Sequence, residues 1–306
     1  MSNIGEERCT QILEYAKDFG DDEACIRFEI KPSTLERYRR ADKQPTREPK
    51  ILLFDIETAP IEVYVWQLKN NNYIHIGQII DIAKDWNIIC WRAKWLCADE
   101  ILGAVQTPEE AIKRDDKRIV KELWKLIDEA DILIGHNVDN FDKKKANSRF
   151  LVHGLKPPSP YQTIDTLKVA RKQFNMTSNK LDYLCQKLGI GAKLDTGFNL
   201  WRRCLRGDEE ALQQMYDYCG QDTSILEDLY IKLRGWITSH PNIALYLDSD
   251  EELCASCGSE NIKLDSKYYY TPTGKYRTFV CKDCGARSRV RYTGKKNKFM
   301  LRSVAR

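Results

Sequence analysis

Apolar positions recur along this chain with two different periods, and where the period changes the chain changes character. Residues 51–56 form a continuous apolar run of strand length, as expected of a strand buried on both faces. The runs at 86–91 and 101–105 are further strand candidates. Over 117–129 the spacing of Ile119, Leu123, Leu126 and Ile127 becomes helical. Residues 132–134 read as another buried strand, and a short strand falls near 163–164. Helices are predicted at about 140–153, 166–174, 179–188 and 209–233. Early strands followed by alternating strands and helices predict an α/β domain with a mixed sheet, spanning 51–240.

On either side the pattern differs. Residues 1–43 read as short helices, and 44–50 are polar with two prolines in the surrounding stretch, a linker. From residue 252 to 306 the chain is rich in Cys, Lys and Tyr, and no internal repeat is visible. No apolar run approaches the roughly 20 residues that span a bilayer, and the N-terminus lacks the basic-then-apolar pattern of a secretory signal. A cytoplasmic protein with no membrane partner is expected.

Composition sharpens this picture in two places. The net charge is only +4, but from Cys254 onward thirteen Lys and Arg face three Asp and Glu, a net of +10 that leaves −6 for the rest. A basic tail on a mildly acidic body points to a polyanionic partner. The eleven cysteines are an odd number with scattered spacing, apart from one cluster of four, which suits a reducing compartment better than a disulfide framework.

Three separated segments carry candidate chemistry. The strand ILLFDIET ends in Asp55 and Glu57, whose side chains, two apart, share a strand face. Two carboxylates on a buried strand repel each other and lose hydration, and a divalent cation relieves both costs. The strand ILIGHNVDNFD leads through Asn137 to Phe141 and Asp142, which the turn would place in the first helical turn that follows. The segment YDYCGQDTSIL lies in the long helix, where Tyr218 and Asp222 are four apart and share a face. Each has an ordinary structural explanation: a charged strand end, a helix cap at Asp139 or Asp142, a surface pair.

Taken together, 50–234 resembles the DEDD exonuclease superfamily, with its ribonuclease-H-like fold. Asp55-Ile-Glu57 matches its first motif, Asn137, Phe141 and Asp142 its second, and Tyr218 and Asp222 its third. The third motif, YCGQD, is similar to that of family B DNA polymerase proofreading domains. The histidine branch of the superfamily carries His five residues before the last Asp; here that position is Asp217, so the tyrosine branch is favoured. The segments IDTLKVARKQF and SNKLDYLCQKLGI also resemble this group's connection between second and third motifs. The resemblance implies a 3′–5′ exonuclease using two Mg²⁺ or Mn²⁺. Asp55, Glu57 and Asp222 would hold the metal that carries the attacking water, Asp55 would bridge to the second, and Asp142 would help through waters. Tyr218 would orient the nucleophile, and Asn137 and Phe141 would contact the terminal nucleotides. For Phe141, packing against the helix is an equal reading. Asp165, in TIDT, is expected to cap a helix, and His136 to be structural.

The flanks add modules. Cys254-x2-Cys257 and Cys281-x2-Cys284 resemble the two knuckles of a zinc ribbon, with one structural Zn²⁺ expected. Between them lies a predicted hairpin turning near 272–274. Tyr268, Tyr269, Tyr270 and Tyr276 interleave there with Lys275, Arg277 and Arg289, the composition of a single-strand-binding surface. EACIRFEIKPSTLERYRR resembles a helix-turn-helix, with Ala24, Ile30, Leu35 and Tyr38 inward and Arg37, Arg39 and Arg40 outward. Glu29 stands where that family usually has glycine. A plain helical docking domain is the alternative. The expected substrate is nucleic acid, DNA with a single-stranded 3′ end, in the service of a separately encoded polymerase. The architecture as a whole resembles a phage or mobile-element protein. An RNA exonuclease and a non-catalytic DNA-binding adaptor are the competing readings.

Overall fold

The computed structural model describes residues 3–42, 47–66, 79–191, 197–247, 249, 251–272 and 274–290. It divides into two compact units, Pro49–Pro241 and Met1–Glu48 with Asn242–Arg306. The basic segment 291–306 lies outside the described residues, as do the side chains of Arg37, Arg39 and Arg40.

The N-terminal segment forms three helices, α1 (Asn3–Phe19), α2 (Asp21–Arg27) and α3 (Pro32–Asp42). Ile12, Ala16, Ala24 and Leu35 are buried between them, and Ile30 and Tyr38 pack against that core. The α2–α3 turn passes through Glu29 at φ 53°, so the glutamate adopts the left-handed backbone that glycine takes more readily.

The larger unit begins with β1 (Ile51–Thr58) and a two-stranded ribbon, β2 (Glu62–Val65) and β3 (Ile79–Lys84). Next come β4 (Ile88–Trp95), β5 (Leu102–Val105), α4 (Pro108–Lys113) and α5 (Lys117–Glu129). Then follow β6 (Ile132–Gly135), α6 (Asp142–Val152), β7 (Gln162–Asp165), α7 (Thr166–Gln173), α8 (Leu181–Lys187), α9 (Asn199–Cys204) and α10 (Glu209–Leu233). Five strands make a mixed sheet in the order β5-β4-β1-β6-β7. β1 is antiparallel to β4 and parallel to β6. β4 is antiparallel to β5, and β6 is parallel to β7.

The two-residue period of β1 decides what each face of the sheet receives. Leu52, Phe54 and Ile56 point into a core completed by Ile119, Val120, Leu123 and Ile127 of α5 and Ala146 and Phe150 of α6. Each such fully buried side chain stabilises the fold by about 1.5–3 kcal/mol relative to exposure. Asp55 and Glu57 take the opposite face, over which α10 packs with Ala211, Leu212, Met215 and Cys219. At the end of β1 the pairing slips: Glu57 opposes Cys90 but Thr58 opposes Ile88. The extra residue, Ile89, is a bulge beside the carboxylates.

Asp116, the residue before α5, is fully buried and makes no cap bond. Its carboxylate accepts hydrogen bonds from the Ile88 amide (2.8 Å), Arg149 Nε and Nη2 (2.7 and 2.6 Å) and His153 Nε2 (2.6 Å). One carboxylate thus ties the start of β4 and the last turn of α6 to the start of α5.

Several predicted boundaries move. The strand expected at 86–91 is Ile88–Trp95, because Trp86 precedes it with its ring under Lys145 Nζ (3.6 Å to the centroid). The helix expected from 140 starts at Asp142, because the chain from 137 is still turning.

In the C-terminal segment β8 (Ile262–Thr271), β9 (Gly274–Cys281) and β10 (Arg287–Arg289) form a sheet in the order β10-β9-β8. Each cysteine knuckle closes with a glycine amide: Gly258 N to Cys254 O (2.8 Å) and Gly285 N to Cys281 O (3.1 Å). Both glycines have left-handed φ, 76° and 71°, so both positions favour glycine. No described helix is long and apolar enough to cross a membrane.

Candidate active site

Parallel strands β1, β6 and β7 end on the same side of the sheet, where open α/β sheets form their binding crevices. Asp55 and Glu57 reach this region from β1, and α10 crosses it bearing Asp222. One carboxylate oxygen from each of Asp55, Glu57 and Asp222 lies within 4.8 Å of the other two. Tyr218 stands one turn before Asp222 on α10, buried, with its ring at 6.4 Å and 75° to that of Trp201 on α9. The sequence separates these groups by more than 160 positions, and the sheet and α10 bring them together.

Asp142 stands outside this trio and meets the backbone of β1. It is the first residue of α6, 2% exposed, and its Oδ1 accepts a hydrogen bond from the Ile56 amide at 3.3 Å, between the two β1 carboxylates. The β1–β6 pairing extends only to Leu53↔Ile134, so beyond it a side chain can meet the β1 amide. Burial pushes the Asp142 carboxyl up to about 7, against hydrogen bonds from the Ile56 amide and its own, and the nearby charge of Asp165 adds to the rise. A buried carboxyl held so far up is a group that gains from a cation.

Asp165 and Asp139 are accounted for by structure. Asp165 caps α7 through the amides of Leu167 (3.0 Å) and Lys168 (3.2 Å). It also accepts from the amides of Asn137 (3.0 Å) and Asp139 (3.3 Å), and so pins the turn after β6. In that turn Asn137 has left-handed φ, 75°. Asp139 pairs with Lys143 and Lys168, both at 2.6 Å, and accepts from Thr163 at 2.7 Å. Burial raises its carboxyl, but these donors outweigh that and hold it far below the usual range. His136 engages Thr166 Oγ1 through Nδ1 and the Asn179 carbonyl through Nε2, both at 2.9 Å. Phe141 is 37% exposed at the start of α6.

Two neighbours of the carboxylates carry no signal in the sequence read residue by residue. Cys219 Sγ lies 3.4 Å from both Asp55 Oδ2 and Asp55 O. Burial holds this thiol well above its ordinary pKa, so it stays protonated and donates. Arg92, paired with Asp55 across β1 and β4, packs its guanidinium 4.0 Å from the Tyr216 ring centroid. The YCGQD match singled out the position of Cys219 without showing its contact.

Residues 101–234 match the RNase_H_2 family model, described as RNase_H superfamily. The matched stretch runs from β5 to the end of α10 and contains Asp142, Tyr218 and Asp222, while Asp55 and Glu57 precede it. The domain has a ribonuclease-H-like α/β fold, and a superfamily composed mostly of nucleases and other phosphodiester hydrolases supports a nuclease-like function. No curated protein matches the chain. In the C-terminal segment, Cys254, Cys257, Cys281 and Cys284 bring their sulfurs within 4.8 Å of one another, a cluster that fits a zinc ribbon.

Proposed function

We propose that this protein is a metal-dependent 3′–5′ exonuclease of the tyrosine type, acting on DNA with a single-stranded 3′ end. The observation that carries this reading is the convergence of Asp55, Glu57 and Asp222 within 4.8 Å, with Tyr218 one turn away on the same helix. Three close carboxylates without histidine or thiolate suit a hard oxygen-binding cation, Mg²⁺ or Mn²⁺. Asp55, Glu57, Asp222 and Asp142 would hold two such ions, which supply charge stabilisation to the attacking and leaving oxygens of phosphodiester hydrolysis.

The chain's own groups do the positioning. The Cys219 thiol fixes one oxygen of Asp55, and the bulge at Ile89 sets the end of β1. A phenol is neutral at pH 7, so the Tyr218 hydroxyl is assigned to hydrogen-bonding the attacking water. Asn137 and Phe141 are assigned to the terminal nucleotides, where an exposed ring accepts any base. The preference for DNA rests on the YCGQD resemblance, and RNA is the second substrate to test. Cys254, Cys257, Cys281 and Cys284 would hold one structural Zn²⁺. The α2–α3 pair is assigned to docking, on DNA as a helix-turn-helix or on a protein. A separately encoded polymerase as partner, a phage-like origin and a reducing, cytoplasmic setting complete the reading. Eleven cysteines, scattered apart from one cluster of four, suit the last of these.

The test uses single strands of DNA and RNA labelled at the 5′ end, with Mg²⁺ or Mn²⁺. A ladder that shortens one nucleotide at a time, faster on DNA, is expected. Internal fragments without a ladder would replace this reading with an endonuclease, and intact strands of both polymers with a binding protein.

A further inference from the structure

The β8–β9 hairpin carries exposed aromatic rings that the fold does not use. Cross-strand partners share a face, and the register pairs Tyr268 with Arg277 and Tyr270 with Lys275 on one face, Tyr269 with Tyr276 on the other. The faces differ. On the second, Arg289 lies over both rings, 4.1 Å from the Tyr276 centroid and 5.6 Å from that of Tyr269. On the first, Lys275 Nζ sits 4.0 Å from the Tyr268 centroid but 5.8 Å from that of Tyr270. Tyr270 is 65% exposed and Arg277 is also exposed.

Charge supports one kind of occupant. Between residues 262 and 290 seven Lys and Arg face two Asp. Asp265 pairs with Arg287, and Asp283 accepts from Ser259 and Asn261 beside the knuckles. A polyanion meets an excess of cations here.

We propose that the Tyr268–Tyr270 face of this hairpin is a binding site for single-stranded nucleic acid, with bases stacked on the two tyrosines and phosphates met by Lys275 and Arg277. Tyrosines two apart on one strand lie about 6–7 Å apart and offer successive platforms. Stacking needs unpaired bases, and every base has a π-face, so the site selects strandedness and not sequence. This goes beyond the nuclease reading and does not depend on it.

The test measures binding, without cleavage. Fluorescence anisotropy of a labelled single-stranded DNA oligomer is recorded with the full chain in buffer lacking added divalent cations, over a series of salt concentrations. Replacing Tyr268 and Tyr270 together by Ala is expected to weaken single-strand binding by about tenfold or more. The same pair changed to Phe should stay within about threefold, and Tyr269→Ala should have little effect. Changing Lys275 and Arg277 to Ala should flatten the salt dependence by about one unit of slope. Zinc per chain, measured in each variant, shows whether the ribbon remains assembled. Wild-type affinity in the Tyr268→Ala, Tyr270→Ala protein with zinc retained overturns the proposal. So does an equal loss for duplex and single strand, which would indicate phosphate contact alone. Loss confined to single strands supports it, whether or not the protein degrades DNA.

Discussion

Removing the Asp116 carboxylate should cost the larger unit a large part of its stability. Asp116 has no exposed surface, and Arg149 and His153, its partners on α6, have side chains only 13% and 12% exposed. In Asp116→Ala the guanidinium keeps its burial but loses a two-pronged partner, and the Ile88 amide loses its acceptor. Breaking a buried ion pair from one side costs about 3–5 kcal/mol. At about 2–4 °C per kcal/mol for a unit of this size, the midpoint should fall by about 6–20 °C. Urea unfolding followed by tryptophan fluorescence, with calorimetry alongside, measures it. Replacing Asp116, Arg149 and His153 together by Leu, Met and Leu should recover much of the loss, since an apolar group of similar volume can match a buried ion pair. A loss below about 1 kcal/mol in Asp116→Ala would refute the claim that this carboxylate ties α6 to the sheet.

Three further outcomes are expected. Cys219→Ala should lower the rate of 3′-end cleavage on the order of tenfold with little change in DNA affinity, the scale seen when a partner of a metal ligand is lost. Cys219→Ser, which keeps a donor to Asp55, should restore most of the rate, and equal rates in all three proteins would sink that role. The raised Asp142 carboxyl sets a pH dependence. The folded metal-free chain binds this proton more tightly than an unfolded carboxylate of pKa about 4, so its stability falls as pH rises from about 4 through 7. Thermal melts should therefore show a larger stabilisation by Mn²⁺ at pH 7.5 than at pH 5.5, and a pH-independent shift would count against it. In Cys284→Ser, zinc measured by elemental analysis should drop from about one per chain toward zero, with loss of protease resistance in the C-terminal segment.

The elements of the core domain were legible because their burial follows a period. Helices α5 and α10 match the expected bounds, and β1 and β6 stand where apolar runs placed them. The β2–β3 ribbon was not foreseen, since every residue of β3 is exposed and no alternation marks it. The short helices α4 and α9 escaped for want of enough turns to show a period. At the site, residue types and spacing pointed to Asp55, Glu57 and Asp222, and the fold places them together. What the sequence could not show were contacts made across long separations. Cys219 meets Asp55 over 164 positions, Asp142 meets Ile56 over 86, and Asp116 meets Arg149 over 33. Asp165 was expected to cap α7 and does, but its hold on the Asn137 turn depends on β6 and β7 lying side by side.

The proposed function requires the Asp55, Glu57 and Asp222 carboxylates to form a hydrolytic metal site. It is tested most directly by single-turnover release of the 3′-terminal nucleotide from single-stranded DNA, comparing the wild-type chain with Asp222→Asn at saturating Mn²⁺. The wild-type protein should release the nucleotide, and the variant at least about a hundredfold more slowly, since loss of even an outer partner of a metal ligand costs 10- to 100-fold. Equal rates in the two proteins, or no release by the wild type, would contradict it.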